Sequence, residues 1–169
     1  DSKGNNSTKD VQEFKKYELD KTKFNRASFV GDFNGDGLSD VLMVPYKIQD
    51  VYSSDVVAEV YLNMGGGTFS TTPFVQVTLS KYLDWIYIVD INGDGIDDII
   101  PCEIHYDDEN VFEKSKYSLL VMEDGVLSNE GYFEFDKPKV VLPGNFVDKY
   151  VNGLLILDAY DGKKNNENA

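Results

Sequence analysis

The sequence predicts an all-β protein built from four-stranded antiparallel repeat units, and three observations lead there. Short runs rich in Val, Ile, Tyr and Phe recur between clusters of Gly, Asp and Asn, which is the signature of strands and turns. Helix signals are nearly absent, with only Val11 to Tyr17 suited to a turn or two. The chain also repeats itself at an offset of 58 residues: Phe29 falls on Tyr87, Val30 on Ile88, Val41 on Ile99 and Leu42 on Ile100. Farther along, the same register sets Tyr61 on Leu119, Leu62 on Leu120, Met64 on Met122, Val75 on Phe133 and Val77 on Phe135.

Taken in order, residues 1–16 read as a polar, flexible leader and residues 161–169 as a polar tail, flanking one β-repeat domain over 17–160. The Asn5 and Asn6 N-x-[S/T] frames fall in that leader and are weak glycosylation signals. Tyr17 to Leu19 stands where the fourth strand of a preceding unit belongs. The first full unit, about 27–79, has strands Ala27 to Phe33, Asp40 to Lys47, Val56 to Asn63 and Phe74 to Leu79. The second, about 85–136, has Trp85 to Ile91, Asp98 to Tyr106, Tyr117 to Met122 and Tyr132 to Phe135, turning at Asp124-Gly125. A partial third unit, 138–160, is expected from Val140 to Phe146 and Gly153 to Ala159, at an offset of 113 from the first.

Between the first two strands of each full unit lies the same loop, Asp32-Phe-Asn-Gly-Asp-Gly-Leu-Ser-Asp40 and Asp90-Ile-Asn-Gly-Asp-Gly-Ile-Asp-Asp98. Both read D-x-N-x-D-G-x-x-D. Oxygen-bearing side chains fall at positions one, three, five and nine, and glycine at six allows the sharp turn that folds them inward. That is a shell for a hard cation such as Ca²⁺, with the backbone carbonyl at position seven as a further donor. The expected ligands are Asp32, Asn34, Asp36, the Leu38 carbonyl and Asp40 in one loop, and Asp90, Asn92, Asp94, the Ile96 carbonyl and Asp98 in the other, for about two Ca²⁺ per chain. An acidic turn without metal is the plainer alternative, but turn chemistry asks for Gly and Asn, not for Asp at one, five and nine. In the third unit Asn145, Val147, Lys149 and Gly153 replace the ligands, and no metal is expected there.

Composition narrows the functions. The 30 acidic residues against 16 basic ones give a net charge of −14, which argues against binding a nucleic-acid phosphate backbone. No apolar stretch is long enough to span a bilayer as a helix. The single cysteine, Cys102, rules out an internal disulfide and reads as a buried structural thiol. A helix-loop-helix calcium site would need a carboxylate at position twelve, where Met43 and Pro101 stand, and helices on both flanks. Catalytic signals are thin. The one histidine, His105, has no partner at zinc spacing, no G-x-S-x-G elbow is present, and carboxylate pairs are too common in so acidic a chain to single one out. The acidic Asp107-Asp108-Glu109 stretch reads as a solvated connection before a second-rank cation site.

Gly31-Asp-Phe-Asn-Gly-Asp-Gly-Leu-Ser-Asp40 followed by Val-Leu-Met-Val resembles the FG-GAP repeat, also described as the VCBS repeat, found in integrin α-subunit propellers and many bacterial surface and secreted proteins. Val89 to Ile100 resembles it equally in its acidic core. The resemblance implies β-propeller-like blades, Ca²⁺ in the hairpin loop between the first two strands of each blade, and a non-catalytic structural or recognition scaffold of an exported or cell-surface protein, adhesion included. An accessory propeller segment of a larger secreted enzyme, such as a polysaccharide-degrading one, or of a toxin assembly is the alternative. Two full units cannot close a propeller, so self-association, or covering by the rest of a longer chain, is expected at the exposed strands. The protein or carbohydrate partner is not legible in the residues.

Overall fold

The computed structural model describes residues 27–45, 54–109, 111–137, 139–148 and 151–158. The leader, the Tyr17 to Leu19 strand, the Val11 to Tyr17 turn, Lys149 and the tail lie outside them. Ten strands and no helix make up the described residues. β1 (Ala27–Gly31), β2 (Asp40–Val44), β3 (Val56–Tyr61) and β4 (Val75–Leu79) form one antiparallel meander. β5 (Leu83–Val89), β6 (Asp98–Tyr106), β7 (Phe112–Glu123) and β8 (Val126–Phe135) form a second, and β9 (Lys139–Asp148) with β10 (Val151–Asp158) a two-stranded third. The architecture is all-β with propeller-like blades, and no closed propeller is formed by the described residues.

Strand pairing confirms the repeat at its first hairpin. Phe29 faces Leu42 and Gly31 faces Asp40; Tyr87 faces Ile100 and Val89 faces Asp98; Leu142 faces Leu155 and Gly144 faces Gly153. These are the same repeat positions in all three sheets. Beyond that hairpin the ungapped register fails. Val41 pairs with Tyr61, but its counterpart Ile99 pairs with Leu120, not Leu119. One more residue lies between Ile99 and Leu120 than between Val41 and Tyr61. A one-residue shift moves every side chain to the opposite face, so Leu120 packs toward the first sheet and Leu119 toward the third. The β8 register moves as well: Ala58 pairs with Val77 while Tyr117, its counterpart, pairs with Phe133, so Val77 corresponds to Phe133 and not to Phe135. Here β7 and β8 run much longer than expected because Asp124 (φ 50°) and Gly125 (φ 77°) close a two-residue turn, the left-handed pair that matches strand twist.

The sheets bury their faces against one another, and the core is two seams. Phe33, Leu42, Val44, Val60 and Leu79 of the first sheet meet Leu83, Ile86 and Ile99 of the second. Val89, Ile100, Cys102 and Tyr117 of the second meet Val141 and Leu154 of the third. Each fully buried aliphatic or aromatic side chain contributes about 1.5–3 kcal/mol relative to exposure. In the second seam Tyr117 stacks on Phe133 at 5.1 Å and 9° and meets Phe135 edge-on. Burial, then a hydrogen bond with Cys102, pushes the Tyr117 phenol far above its ordinary range, and burial likewise raises the Cys102 thiol. Both groups are neutral packing elements at physiological pH. Among the described residues, no helix is long and apolar enough to cross a membrane.

Candidate metal centre

The two acidic loops share a set of hydrogen bonds, to which the second adds one from the Gly93 N–H to the Asp90 carboxylate at 2.7 Å. Position one accepts from the turn: the Asp32 carboxylate takes the N–H groups of Asp36 (3.1 Å) and Gly37 (2.7 Å), and Asp90 takes those of Asp94 (3.2 Å) and Gly95 (2.9 Å). Position three accepts from the N–H of position five, Asn34 from Asp36 and Asn92 from Asp94. Position five accepts from the N–H of position seven, Asp36 from Leu38 and Asp94 from Ile96, each at 2.8 Å. The amide of position three also donates to the carboxylate of position five in both loops, at 2.9 Å. Gly37 (φ 81°) and Gly95 (φ 89°) supply the left-handed backbone that lets the chain double back.

Position nine behaves differently. Asp40 and Asp98 are wholly buried at the start of β2 and β6. Asp40 accepts the Phe33 N–H at 3.0 Å with one oxygen and the Asn63 N–H at 2.7 Å with the other. Asp98 accepts the Ile91 N–H at 2.9 Å and the Met122 N–H at 2.8 Å. Each therefore ties its loop to the end of the third strand of the same sheet. Burial raises both carboxyl groups above the ordinary range, the charges at positions five and one add to that, and the two backbone N–H donors oppose it.

Residues 32–100 match a family model described as the FG-GAP-like repeat. That stretch belongs to the FG-GAP-like repeat family. The match opens on position one of the first loop and closes just past the second, so it contains both loops and the strands β2 to β5 between them. It marks a module of structural or recognition type. No curated protein and no solved structure matches the chain.

The donor set of each FG-GAP-like loop is all oxygen, which fits a hard cation. A carboxylate has about four lone-pair sites, so Asp32, Asp36 and Asp40 retain acceptor capacity after the bonds above, as do Asp90, Asp94 and Asp98. Among the described residues no three Asp, Glu, His or Cys side chains converge at ligating spacing. Positions one, three and five lie together at the tip, while position nine is turned inward onto backbone donors. Leu38 and Ile96 occupy position seven as expected, with Ile96 packed against Gly35 of the other loop.

Position eight was not singled out by the motif, yet it joins neighbouring units. Asp97 accepts the Asp32 N–H at 2.8 Å through its carboxylate and donates its own N–H to the Asp32 carbonyl at 2.8 Å. Asn152, the same repeat position in the third unit, donates its amide to the Asp90 carbonyl at 2.8 Å. The repeat register places 39, 97 and 152 in one column, and that column was the available signal.

The remaining candidates have structural partners. His105 lies 3.2 Å from Glu103 and stacks on Tyr82 at 4.4 Å between ring centroids, while Lys116 approaches the same glutamate at 3.7 Å. Asp107 accepts the N–H groups of Glu109 and Val111 with one oxygen, closing the β6–β7 connection as a side-chain-capped turn.

Proposed function

We propose that this chain is a calcium-stabilised FG-GAP-like module, exported or cell-surface, which acts as a non-catalytic structural or recognition scaffold. The observation that carries the reading is the pairing of an oxygen-rich loop tip with a buried carboxylate beneath it, repeated at positions one, three, five and nine in two consecutive units. A carboxylate raised by burial and by neighbouring acids is the electrostatic setting in which a divalent cation binds favourably.

In the first loop Asp32, Asn34, Asp36 and Asp40 would hold the ion with the Leu38 carbonyl, and in the second Asp90, Asn92, Asp94 and Asp98 with the Ile96 carbonyl. Calcium supplies the positive charge that offsets these carboxylates. The chain's own residues do the rest: the left-handed glycines set the turn, and Asp40 and Asp98 lock it to the third strand. Affinities of about 10⁻⁴–10⁻³ M typify extracellular calcium modules, which is the ground for the export reading.

Calorimetric titration of the chelator-treated chain with CaCl₂ is expected to show about two sites. A thermal midpoint that is the same in calcium and in chelator would overturn the reading.

A further inference from the structure

The third sheet leaves open a face that the first two sheets cover. Repeat positions occupied by Phe33, Leu42 and Val44 in the first unit are 0%, 0% and 2% exposed, sealed by the second sheet. The same positions in the third unit are Phe146, Leu155 and Leu157, at 50%, 36% and 44%. Leu142 faces Leu155 across the hairpin as Phe29 faces Leu42, and it is 42% exposed. These four side chains form one contiguous apolar face. Among the described residues β10 pairs only with β9, and nothing covers that face. A stripe of this kind on a sheet marks an interaction surface.

The first sheet carries the complementary surface. The second sheet presses Ile86, Ile88 and Ile99, among others, onto the first; their counterparts on the outer side of the first sheet are Ser28, Val30, 60% exposed, and Val41, half-buried, so the apolar match rests on the last two. Ile88 lies so close over Gly31 that a Cβ there would sit 2.6 Å from its Cγ2. The third unit has Gly144 at the position of Gly31, and the space above it is taken by the Phe146 ring. The surface that receives a neighbouring unit is thus present, glycine included, at one end of the described structure. The surface that is received stands at the other.

We infer that the apolar face of β9–β10 docks the outer face of β1–β4 from a second copy of this chain, head to tail. The contact continues the interface already made twice within one chain. Val30 of the second copy meets the Phe146 ring that fills the space above Gly144, at the place where Ile88 lies over Gly31, and Val41 packs on Leu155 and Leu157. Ser39 is the position-eight residue of the incoming unit and comes beside Asn145, the position-one residue of β9, as Asn152 comes beside Asp90. Because two different surfaces meet, each copy keeps one of each, and association propagates or closes into a ring. This inference does not depend on the metal reading, so it is tested with calcium and with chelator alike.

The test is sedimentation velocity of the full chain across a dilution series, with Val30→Glu and Leu155→Glu as single variants. Both residues are exposed, so each variant keeps the wild-type thermal midpoint, which circular dichroism checks. Wild type is expected to grow in mass with concentration, and each variant alone to remain monomeric. An equimolar mixture is expected to form a 1:1 dimer and nothing larger, because each variant retains the surface the other has lost. Wild type that stays monomeric at every concentration overturns the inference. So does a Val30→Glu chain that still self-associates, which would mean like faces or β10 edges meeting, and so does a mixture that fails to pair.

Discussion

Asp94 and Asp98 lie four residues apart in one loop, and they do opposite work. Asp94 is exposed at the tip, where it accepts one N–H from its own turn and one amide hydrogen from Asn92. Asp98 is wholly buried and accepts from two segments, the loop at Ile91 and the end of β7 at Met122. Asp36 and Asp40 repeat the contrast in the first loop. The comparison separates roles within a single acidic motif: the inner carboxylate belongs to the architecture whether or not a cation is bound, and the outer one is the carboxylate that the proposed cation would engage. Substitution at the two positions is therefore expected to give different phenotypes.

The largest effect is expected from Asp98→Ala. It strands the Ile91 and Met122 N–H groups in a buried place, at about 1–3 kcal/mol for each buried donor left without a partner, and it leaves a small void besides. A loss of about 4 kcal/mol in a denaturant melt with chelator present is expected. Asp98→Asn keeps the volume and one acceptor but turns an NH₂ group toward the second N–H, so it should recover only part of that loss. If Asp98→Ala melts like wild type in chelator, the architectural role is wrong.

Calcium itself ranks next. At free Ca²⁺ ten times the dissociation constant, each occupied site adds about 1.4 kcal/mol to the native state. Thermal melts in chelator and in millimolar calcium should differ accordingly. Asp36→Ala and Asp94→Ala refine the comparison from the outer side. Each is expected to abolish one calorimetric site, spare the other, and shift stability in chelator by less than about 1 kcal/mol, because only exposed hydrogen bonds are lost. Loss of both sites from one substitution would show that the two loops share an ion.

The loops and the first hairpin of each unit were legible because both rest on local chemistry. Asp, Asn and Gly at fixed spacing specify the turn, and alternating aliphatic residues specify the strands that flank it. The division of labour between Asp94 and Asp98 was not legible, since residue type does not reveal which carboxylate is covered by β7. Nor was the β7 register. Leu119 and Leu120 are identical neighbours, and a pattern with leucine on both faces accepts either alignment until the partner sheets choose. Phe133 and Phe135 present the same ambiguity two residues apart in β8. Position eight stayed hidden for another reason: Asp97 and Asn152 act on the preceding unit, so a motif read one loop at a time gives them no role.

The smallest expected effect lies at that position, and it compares the two junctions directly. Asp97 offers a carboxylate oxygen to the Asp32 N–H, whereas Asn152 offers an amide hydrogen to the Asp90 carbonyl. The hydrogen bond runs in opposite directions, so the two sites should answer differently to the same pair of side chains. Asp97→Asn keeps an acceptor oxygen for Asp32 and should change stability by less than about 0.5 kcal/mol. Asn152→Asp removes the donor and sets a carboxylate against a carbonyl oxygen, so a loss of about 1–2 kcal/mol is expected. Asp97→Ala and Asn152→Ala bracket the comparison at about 1 kcal/mol each. Equal effects of Asp97→Asn and Asn152→Asp would show that position eight fills space between units and that its hydrogen bonds add nothing.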